Sequence, residues 1–153
     1  MNLRIQIEEK YKASIKSKSV EEVNTLRLIK SAIKNKDIEN RIGDNQGEIE
    51  DRQILSLLQH LIKQRKDSIE LFKIANRKDL VEKETKEIEI IKNFLPRQLN
   101  NEETKKLLNK FIRDENLSSI KDMGTIMNYL KDNYAGNIDM VIAGKLAKEL
   151  LSN

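Results

Sequence analysis

The sequence predicts an all-α protein, with a four-helix N-terminal domain at residues 1–95, a hinge at 96–100 and a small three-helix C-terminal bundle at 101–153. Composition is the first observation, because a chain of 153 residues with one proline and five glycines lacks the turn residues of an all-β fold. The second is that apolar residues recur every three or four positions along most of the chain. The third is that turn residues gather at a few points between these periodic stretches.

The first two helices are predicted from apolar spacing and from one start signal. The inner face of the first helix is placed on Leu3, Ile7, Tyr11 and Ile15, and that of the second on Val23, Leu26, Ile29 and Ile33. Ser19 followed by Glu22 has the spacing of a capping box, which predicts that the second helix begins there. It should end near Arg41, before the turn cluster at 43–47.

The third and fourth helices are predicted as a hairpin. The third begins near Glu48, ends near Ala75 and carries its apolar stripe on Ile54, Leu55, Leu58, Leu61, Ile62, Ile69 and Phe72. Asp79 is a plausible N-cap for the fourth helix, whose apolar positions are Leu80, Val81, Ile88, Ile91 and Leu95. Pro96 ends this helix, because the residue before a proline is pushed out of the helical region.

The residues after the hinge predict three short helices. Asn100 followed by Glu103 has the spacing of a second capping box. Apolar positions then occur in three groups, which include Leu107 to Ile112, Ile120 to Leu130 and Val141 to Leu151. A bundle of roughly 50 residues has a marginal core of its own.

Several classes of protein are disfavoured by what the sequence lacks. Without cysteine there is no disulfide framework, zinc finger or thiol nucleophile. No apolar run approaches the ~18 residues of a membrane span, and acidic residues occupy the place of the apolar stretch in a signal peptide. The sequence therefore predicts a cytoplasmic protein without a membrane partner.

Catalytic signals are equally sparse. His60 is the one histidine, and its position opposite the apolar stripe of the third helix predicts a solvated side chain. Phosphate-binding glycine loops are absent, and without His or Cys clusters a metal site is not expected. We therefore predict no catalytic residue, no metal and no cofactor.

Basic residues are the strongest candidates for a binding role in a chain of net charge +4. Arg27, Lys30 and Lys34 line one edge of the inner face of the second helix, and Lys63 and Lys66 form a smaller group on the third. Like charges at such spacings repel, so either acidic neighbours or an anion should offset them. The alternatives are phosphate contact or lysine stems that merely cover apolar surface.

One arginine is predicted to be structural. Arg65 falls within the apolar stripe of the third helix, where a lone buried guanidinium would be very costly. Across an antiparallel hairpin its nearest acidic candidates are Glu84 and Glu87. We expect Arg65 to pair with one of these carboxylates, the alternative being a side chain that reaches solvent at the edge of the bundle.

An ordered set of segments gives the sequence a family resemblance. These are Thr25–Asn35, Lys63–Glu70, Asn76–Leu80, Phe94–Leu99 and Lys121–Met127. Together they closely resemble the YqeY proteins of the GatB/YqeY family over nearly the whole chain. The resemblance implies an all-helical N-terminal domain and a helical tail related to the tail module of the aspartyl/glutamyl-tRNA amidotransferase B subunit, which helps to hold tRNA.

The resemblance also implies candidate tRNA contacts in the tail, at Lys121 and Lys145. Thr125 and Asn137 stand where relatives often carry Lys, or Lys or Arg, so part of the expected positive charge is missing here. Each lost phosphate contact would weaken binding and reduce its salt dependence.

The leading hypothesis is a non-catalytic tRNA-binding or tRNA-associated accessory protein, with tRNA and a tRNA-aminoacylation or amidation enzyme as partners. One alternative is a protein-interaction module without a nucleic-acid partner, to which Leu28 and Ile90 could contribute because both lie off the core face. Another is an amidotransferase component acting in trans, since family descriptions often carry a carbon–nitrogen ligase activity with glutamine as amido donor.

Overall fold

The computed structural model describes residues 2–43 and 47–152, and within these ranges the secondary structure is helical with no strand. The α-helices are α1 Leu3–Lys16, α2 Val20–Glu39, α3 Asp51–Ile74, α4 Lys78–Lys92, α5 Asn101–Asp114, α6 Met123–Asn133 and α7 Met140–Ser152. A short 3-10 helix at Ile120–Asp122 precedes α6. The all-α prediction is confirmed.

The chain divides into two compact units, with the boundary between Leu95 and Pro96. The first unit contains α1 to α4, and the second contains the remaining helices. The backbone N–H of Leu99 donates to the carbonyl of Asn137 at 2.8 Å, and the Asn137 side-chain amide donates to the carbonyl of Arg97 at 3.1 Å. Residues 97–99 of the predicted hinge are therefore bonded within the second unit, and the hinge itself stays a prediction.

The core of the first unit is aliphatic and combines the inner faces of two antiparallel helix pairs, α1 with α2 and α3 with α4. Its buried members are Leu3, Ile7, Leu26, Ile29, Ile33, Ile49, Ile54, Leu58, Ile62, Ile88 and Ile91. Most of them are the positions that helical periodicity predicts. Ile49 is an addition from the loop before α3, which folds back onto the end of α2.

The end of α1 differs from the prediction. Ile15 is 48% exposed, and Ser14 is buried in its place. At 3.6 residues per turn, a strict spacing of four drifts off the inner face after three turns. The Ser14 hydroxyl lies 2.9 Å from a carboxylate oxygen of Glu22. Ser19 is the N-cap residue of α2 but makes no side-chain cap hydrogen bond, so the predicted capping box is wrong.

The start of α4 also differs. Asn76 adopts a left-handed conformation with φ 56°, which turns the chain directly after α3. The fourth helix then begins at Lys78 with Arg77 as its N-cap residue, so the predicted N-cap role of Asp79 is wrong. Asp79 instead accepts a hydrogen bond from the Arg77 guanidinium at 3.1 Å.

The second unit encloses a separate core, whose buried members are Leu108, Ile126, Leu130, Ile138, Ala143, Leu146, Ala147 and Leu151. Ile138 comes from the loop between α6 and α7 and has no helical pattern to identify it. Ile120 and Val141 are about half exposed although they belong to the apolar groups of the sequence. The capping box at the start of α5 is confirmed, because Asn100 accepts from the Glu103 N–H at 2.8 Å and its own N–H donates to the Glu103 carboxylate.

Replacing Asn100 with alanine should lower the free energy of unfolding by about 1 kcal/mol, because the side chain satisfies an orphan amide of α5. Urea unfolding followed by circular dichroism measures the change. Asn109→Ala, the same substitution at an exposed position within α5, is the control and should be neutral or slightly stabilising. Equal losses in both variants would contradict the capping role.

Candidate nucleic-acid interface

Three of the basic residues that the sequence singles out lie beside α1 on the first unit. The Lys30 ammonium is 2.7 Å from a Glu8 carboxylate oxygen and 4.2 Å from the centre of the Tyr11 ring. Arg27 donates through Nε to the Tyr11 hydroxyl at 3.0 Å. The ammonium of Lys30 lowers the pKa of the Glu8 carboxyl, so Glu8 is ionised at neutral pH and offsets the charge of Lys30.

A shallow pocket of about 130 Å³ opens between α1 and α2. Its lining consists of Arg4, Ile7, Glu8, Lys30, Ile33, Lys34 and Asp37. Three cations therefore face two carboxylates. Within residues 2–43 and 47–152 no carboxylate pairs with Lys34, while Glu8 pairs with Lys30 and Asp37 with Arg4. The pocket thus has one positive charge in excess, carried by Lys34.

A hydrogen-bond network closes one end of this pocket. The Arg4 guanidinium donates to both oxygens of the Asp37 carboxylate, at 2.9 Å and 2.5 Å, and to the Ile49 carbonyl at 3.1 Å. The Ile49 N–H donates to Asp37 at 2.8 Å. This guanidinium beside Asp37 holds the pKa of that carboxyl below its usual range. The network ties α1, α2 and the loop before α3 together.

Sequence reasoning missed the pairing of Arg4 with Asp37, although a signal was present. Asp37 falls four residues after Ile33, close to the inner face of α2, where an acid needs a cationic partner. That partner lies 33 positions earlier in the chain, so no local spacing identifies it.

The two lysines predicted on α3 lie outside the lining of this pocket. The Lys63 ammonium pairs with Asp67 one turn later at 3.3 Å, and Lys66 is exposed. His60 is exposed on the same helix, as its position opposite the apolar stripe predicts.

Arg65 occupies the structural position that the sequence predicts. Its Nε donates to a Glu87 carboxylate oxygen at 2.8 Å, and its Nη1 donates to the Leu61 carbonyl at 3.0 Å. The nearer Glu84 oxygen is 3.9 Å away. All three charged side chains are largely buried, so the predicted pairing is confirmed and Arg65 is held inside the α3–α4 interface.

The tail lysines lie on elements that pack against each other. Lys121 is exposed on the 3-10 helix and Lys145 is exposed on α7. Gly124 of α6 and Gly144 of α7 have open space where a Cβ would be, so a partner could approach the backbone closely there. Asn137 is half-buried and uses its amide to bond the Arg97 carbonyl, which gives it a structural role in place of a charge.

Residues 2–43 and 47–152 contain neither a metal-binding group nor a membrane-spanning helix. No group of three or more His, Cys, Asp or Glu side chains there could hold a metal ion. None of the helices described above is both long and apolar enough to cross a membrane.

Comparison with known proteins identifies relatives over most of the chain. A family model described as Yqey-like protein matches residues 4–151. A Lachancea thermotolerans protein named "Altered inheritance of mitochondria protein 41, mitochondrial" is 51% identical over 72 residues, which is 46% of this chain and 36% of the relative. A protein of the same name from Clavispora lusitaniae is 33% identical over 129 residues, 82% of this chain and 72% of the relative.

A fission-yeast relative has no functional name. The "Uncharacterized protein C22F3.15" of Schizosaccharomyces pombe is 34% identical over 100 residues, which is 65% of this chain and 77% of that protein. The match to the Lachancea protein spans only about a third of that protein's own length. The name of the Lachancea protein therefore describes that protein and is not carried over to this chain.

Proposed function

The chain belongs to the Yqey-like protein family, and on this premise we propose that it is a non-catalytic tRNA-binding or tRNA-associated accessory protein. The single observation that carries the proposal is the excess positive charge at Lys34, in a pocket that already holds Arg4 and Lys30. A phosphate group placed there would meet a cation that no carboxylate of the described chain neutralises.

The tail supplies a second set of contacts in this proposal. Lys121 and Lys145 are exposed on packed elements, and the open helix surface at Gly124 and Gly144 leaves room for a sugar–phosphate backbone. Phosphate contacts of this kind position RNA without reading its sequence. A partner enzyme of tRNA aminoacylation or amidation would then share the same tRNA.

Replacing Lys34 with glutamate should weaken the electrophoretic mobility shift of total tRNA, because the pocket loses its excess cation. The salt dependence should also flatten, with the slope of log K against log salt falling by about one unit per lost phosphate contact. Lys121→Glu combined with Lys145→Glu should act in the same direction. Binding is measured at two salt concentrations for each variant.

Lys83→Glu is the matched control, since Lys83 is an exposed lysine of α4 outside the proposed surfaces. Lys30 is left unchanged, because glutamate there would face Glu8 and disturb the packing of α1 on α2. A wild-type protein that does not shift tRNA at low salt would refute the proposal, and so would an equal loss in the Lys83 variant.

The cytoplasm is the location that we propose from the sequence. The word "mitochondrial" in the names of the Lachancea and Clavispora relatives describes those proteins. A fluorescent fusion of the full chain, imaged against compartment markers, tests this location directly.

A further inference from the structure

The outward-facing side of α2 forms a stripe that is free of charged residues. Its members, called here the outer stripe, are Val20, Asn24, Leu28, Ser31, Asn35 and Ile38. They follow one another at intervals of four, four, three, four and three residues, which places them on one face of the helix. Leu28 is 50% exposed and Ile38 is 48% exposed, so the outer stripe presents large aliphatic side chains to solvent.

This pattern departs from the solvent faces of the neighbouring helices. Charged residues make up 35% of the chain, and exposed charges recur along the outer side of α3 at Lys63, Lys66, Asp67, Glu70 and Lys73. A solvated helix face ordinarily carries such charges. From Asn24 to Ile38 the intervals alternate between four and three residues, which is the spacing of a seam that packs against a second helix.

The chemistry of the outer stripe fits a helical occupant. Leu28 and Ile38 supply aliphatic contacts, while the short side chain of Ser31 lets another helix approach. Asparagine at one seam position, as at Asn35, is tolerated in paired helices and fixes their register.

The charged residues beside the outer stripe indicate which kind of helix would bind there. The acids near its ends are matched within the chain, because Glu21 pairs with Lys86 at 3.3 Å and Glu39 with Lys36 at 3.2 Å. Arg27 and Lys34 lie along one side of the outer stripe, in the stretch between Asn24 and Ile38. Neither forms an ion pair with a carboxylate of residues 2–43 or 47–152, so this flank is left positive.

A second copy of this chain fits the flank poorly. An antiparallel pair of α2 helices centred near Ser31 would bring Arg27 of one copy beside Lys34 of the other, and such like-charge contacts disfavour pairing. We propose that the outer stripe of α2 docks an acidic amphipathic helix of a partner protein. Its apolar seam covers Leu28 and Ile38, and its carboxylates face Arg27 and Lys34. This inference does not depend on tRNA binding.

The test uses two labelled synthetic peptides of three heptads, identical in their leucine seam, with glutamate at every flanking position in one and lysine in the other. Like charges keep each peptide from pairing with itself. Fluorescence anisotropy with the full-length protein should show that the acidic peptide binds at least tenfold more tightly than the basic one. Lys34→Glu should weaken the binding of the acidic peptide and strengthen the binding of the basic one.

Leu28→Gln combined with Ile38→Gln should lower the affinity for the acidic peptide at least tenfold. The two substitutions leave the charge of α2 unchanged and alter its helix propensity little. The control is Leu71→Gln combined with Ile74→Gln, which removes two aliphatic side chains that are 67% and 81% exposed on α3. This control should bind the acidic peptide as the wild type does. Circular dichroism verifies that both double variants remain folded.

Four results would overturn the inference. Equal affinity for the two peptides, or equal losses in the two double variants, would remove the case for a specific acidic partner. A wild-type dimer in sedimentation velocity that the Leu28 and Ile38 variant dissociates would assign the outer stripe to a second copy. If the Leu28 and Ile38 double variant no longer shifted tRNA, the outer stripe would be assigned to RNA binding. If the wild type itself does not shift tRNA, that result bears only on the proposed function.

Discussion

Arg65→Ala is expected to lower the free energy of unfolding by about 3 kcal/mol, the loss typical of removing one partner from a buried ion pair. The Arg65 side chain is only 12% exposed, and those of Glu87 and Glu84 are 15% and 20% exposed. Without the guanidinium, two carboxylates would remain together in the α3–α4 interface with no cation between them. Urea unfolding of the full chain at neutral pH measures the loss.

The two carboxylates should respond differently to neutralisation. Burial, with the neighbouring charge of Glu87, raises the pKa of Glu84, so its ionised form is disfavoured in the folded protein. Glu84→Gln should therefore cost little or stabilise the fold slightly. Glu87→Gln should cost more, because Glu87 accepts the 2.8 Å hydrogen bond from Arg65.

The matched control is Arg77→Ala, which removes an arginine from an exposed pair with Asp79 at 3.1 Å. Surface pairs of this kind contribute little to stability, because solvent screens their charges. If Arg65→Ala lost no more stability than Arg77→Ala, the buried pair would have no structural role.

Asp37→Asn is the second substitution with a large expected effect, a loss of about 2 kcal/mol of unfolding free energy. Asp37 accepts two hydrogen bonds from Arg4 and one from the Ile49 N–H. Hydrogen bonds to a charged group contribute about 1.5–3 kcal/mol, and the partial exposure of Arg4 reduces that figure. An asparagine keeps the size of the side chain but cannot pair with the guanidinium through both oxygens.

The same pair gives the protein a defined response to acid. Because the pKa of Asp37 is lowered in the folded state, its stabilising effect is complete above the unfolded value of about 3.9. It is lost as the pH falls through the lower folded value. Below the unfolded value, the stability of the wild type should therefore fall with decreasing pH more steeply than that of Asp37→Asn.

Asp67→Asn is the control for this prediction, since Asp67 is 69% exposed in its pair with Lys63. Its stability curve against pH should follow that of the wild type closely. If the stability of the wild type and that of Asp37→Asn fell equally with decreasing pH, the Arg4–Asp37 pair would contribute nothing to folding.

Local sequence patterns were sufficient for the helical class and the order of the helices, but not for every helix end. The fourth helix ends at Lys92, before the end that Pro96 predicted. Helix periodicity predicted the order of the helices, and Asn100 with Glu103 predicted the start of α5. These features depend on residues within one or two turns of each other, so the sequence carries them directly. The pairing of Arg65 with Glu87 was also accessible, because a hairpin restricts which residues can face each other.

The candidate interface was only partly accessible from sequence. Periodicity placed Arg27, Lys30 and Lys34 along one edge of α2, but it could not show that Glu8 offsets Lys30 and leaves Lys34 as the cation in excess. That distinction depends on how α1 packs against α2, which brings together residues distant in the chain.

By itself, the sequence determined the all-α class, the order of the helices and the buried role of Arg65, because each follows from spacing along a helix or a hairpin. Only the tertiary structure decided that Ser14 replaces Ile15 in the core, that Arg4 and Asp37 secure the loop at Ile49, and that the outer stripe of α2 stays exposed. The physical reason is that a helix can present any of its faces to solvent until the other helices have packed against it.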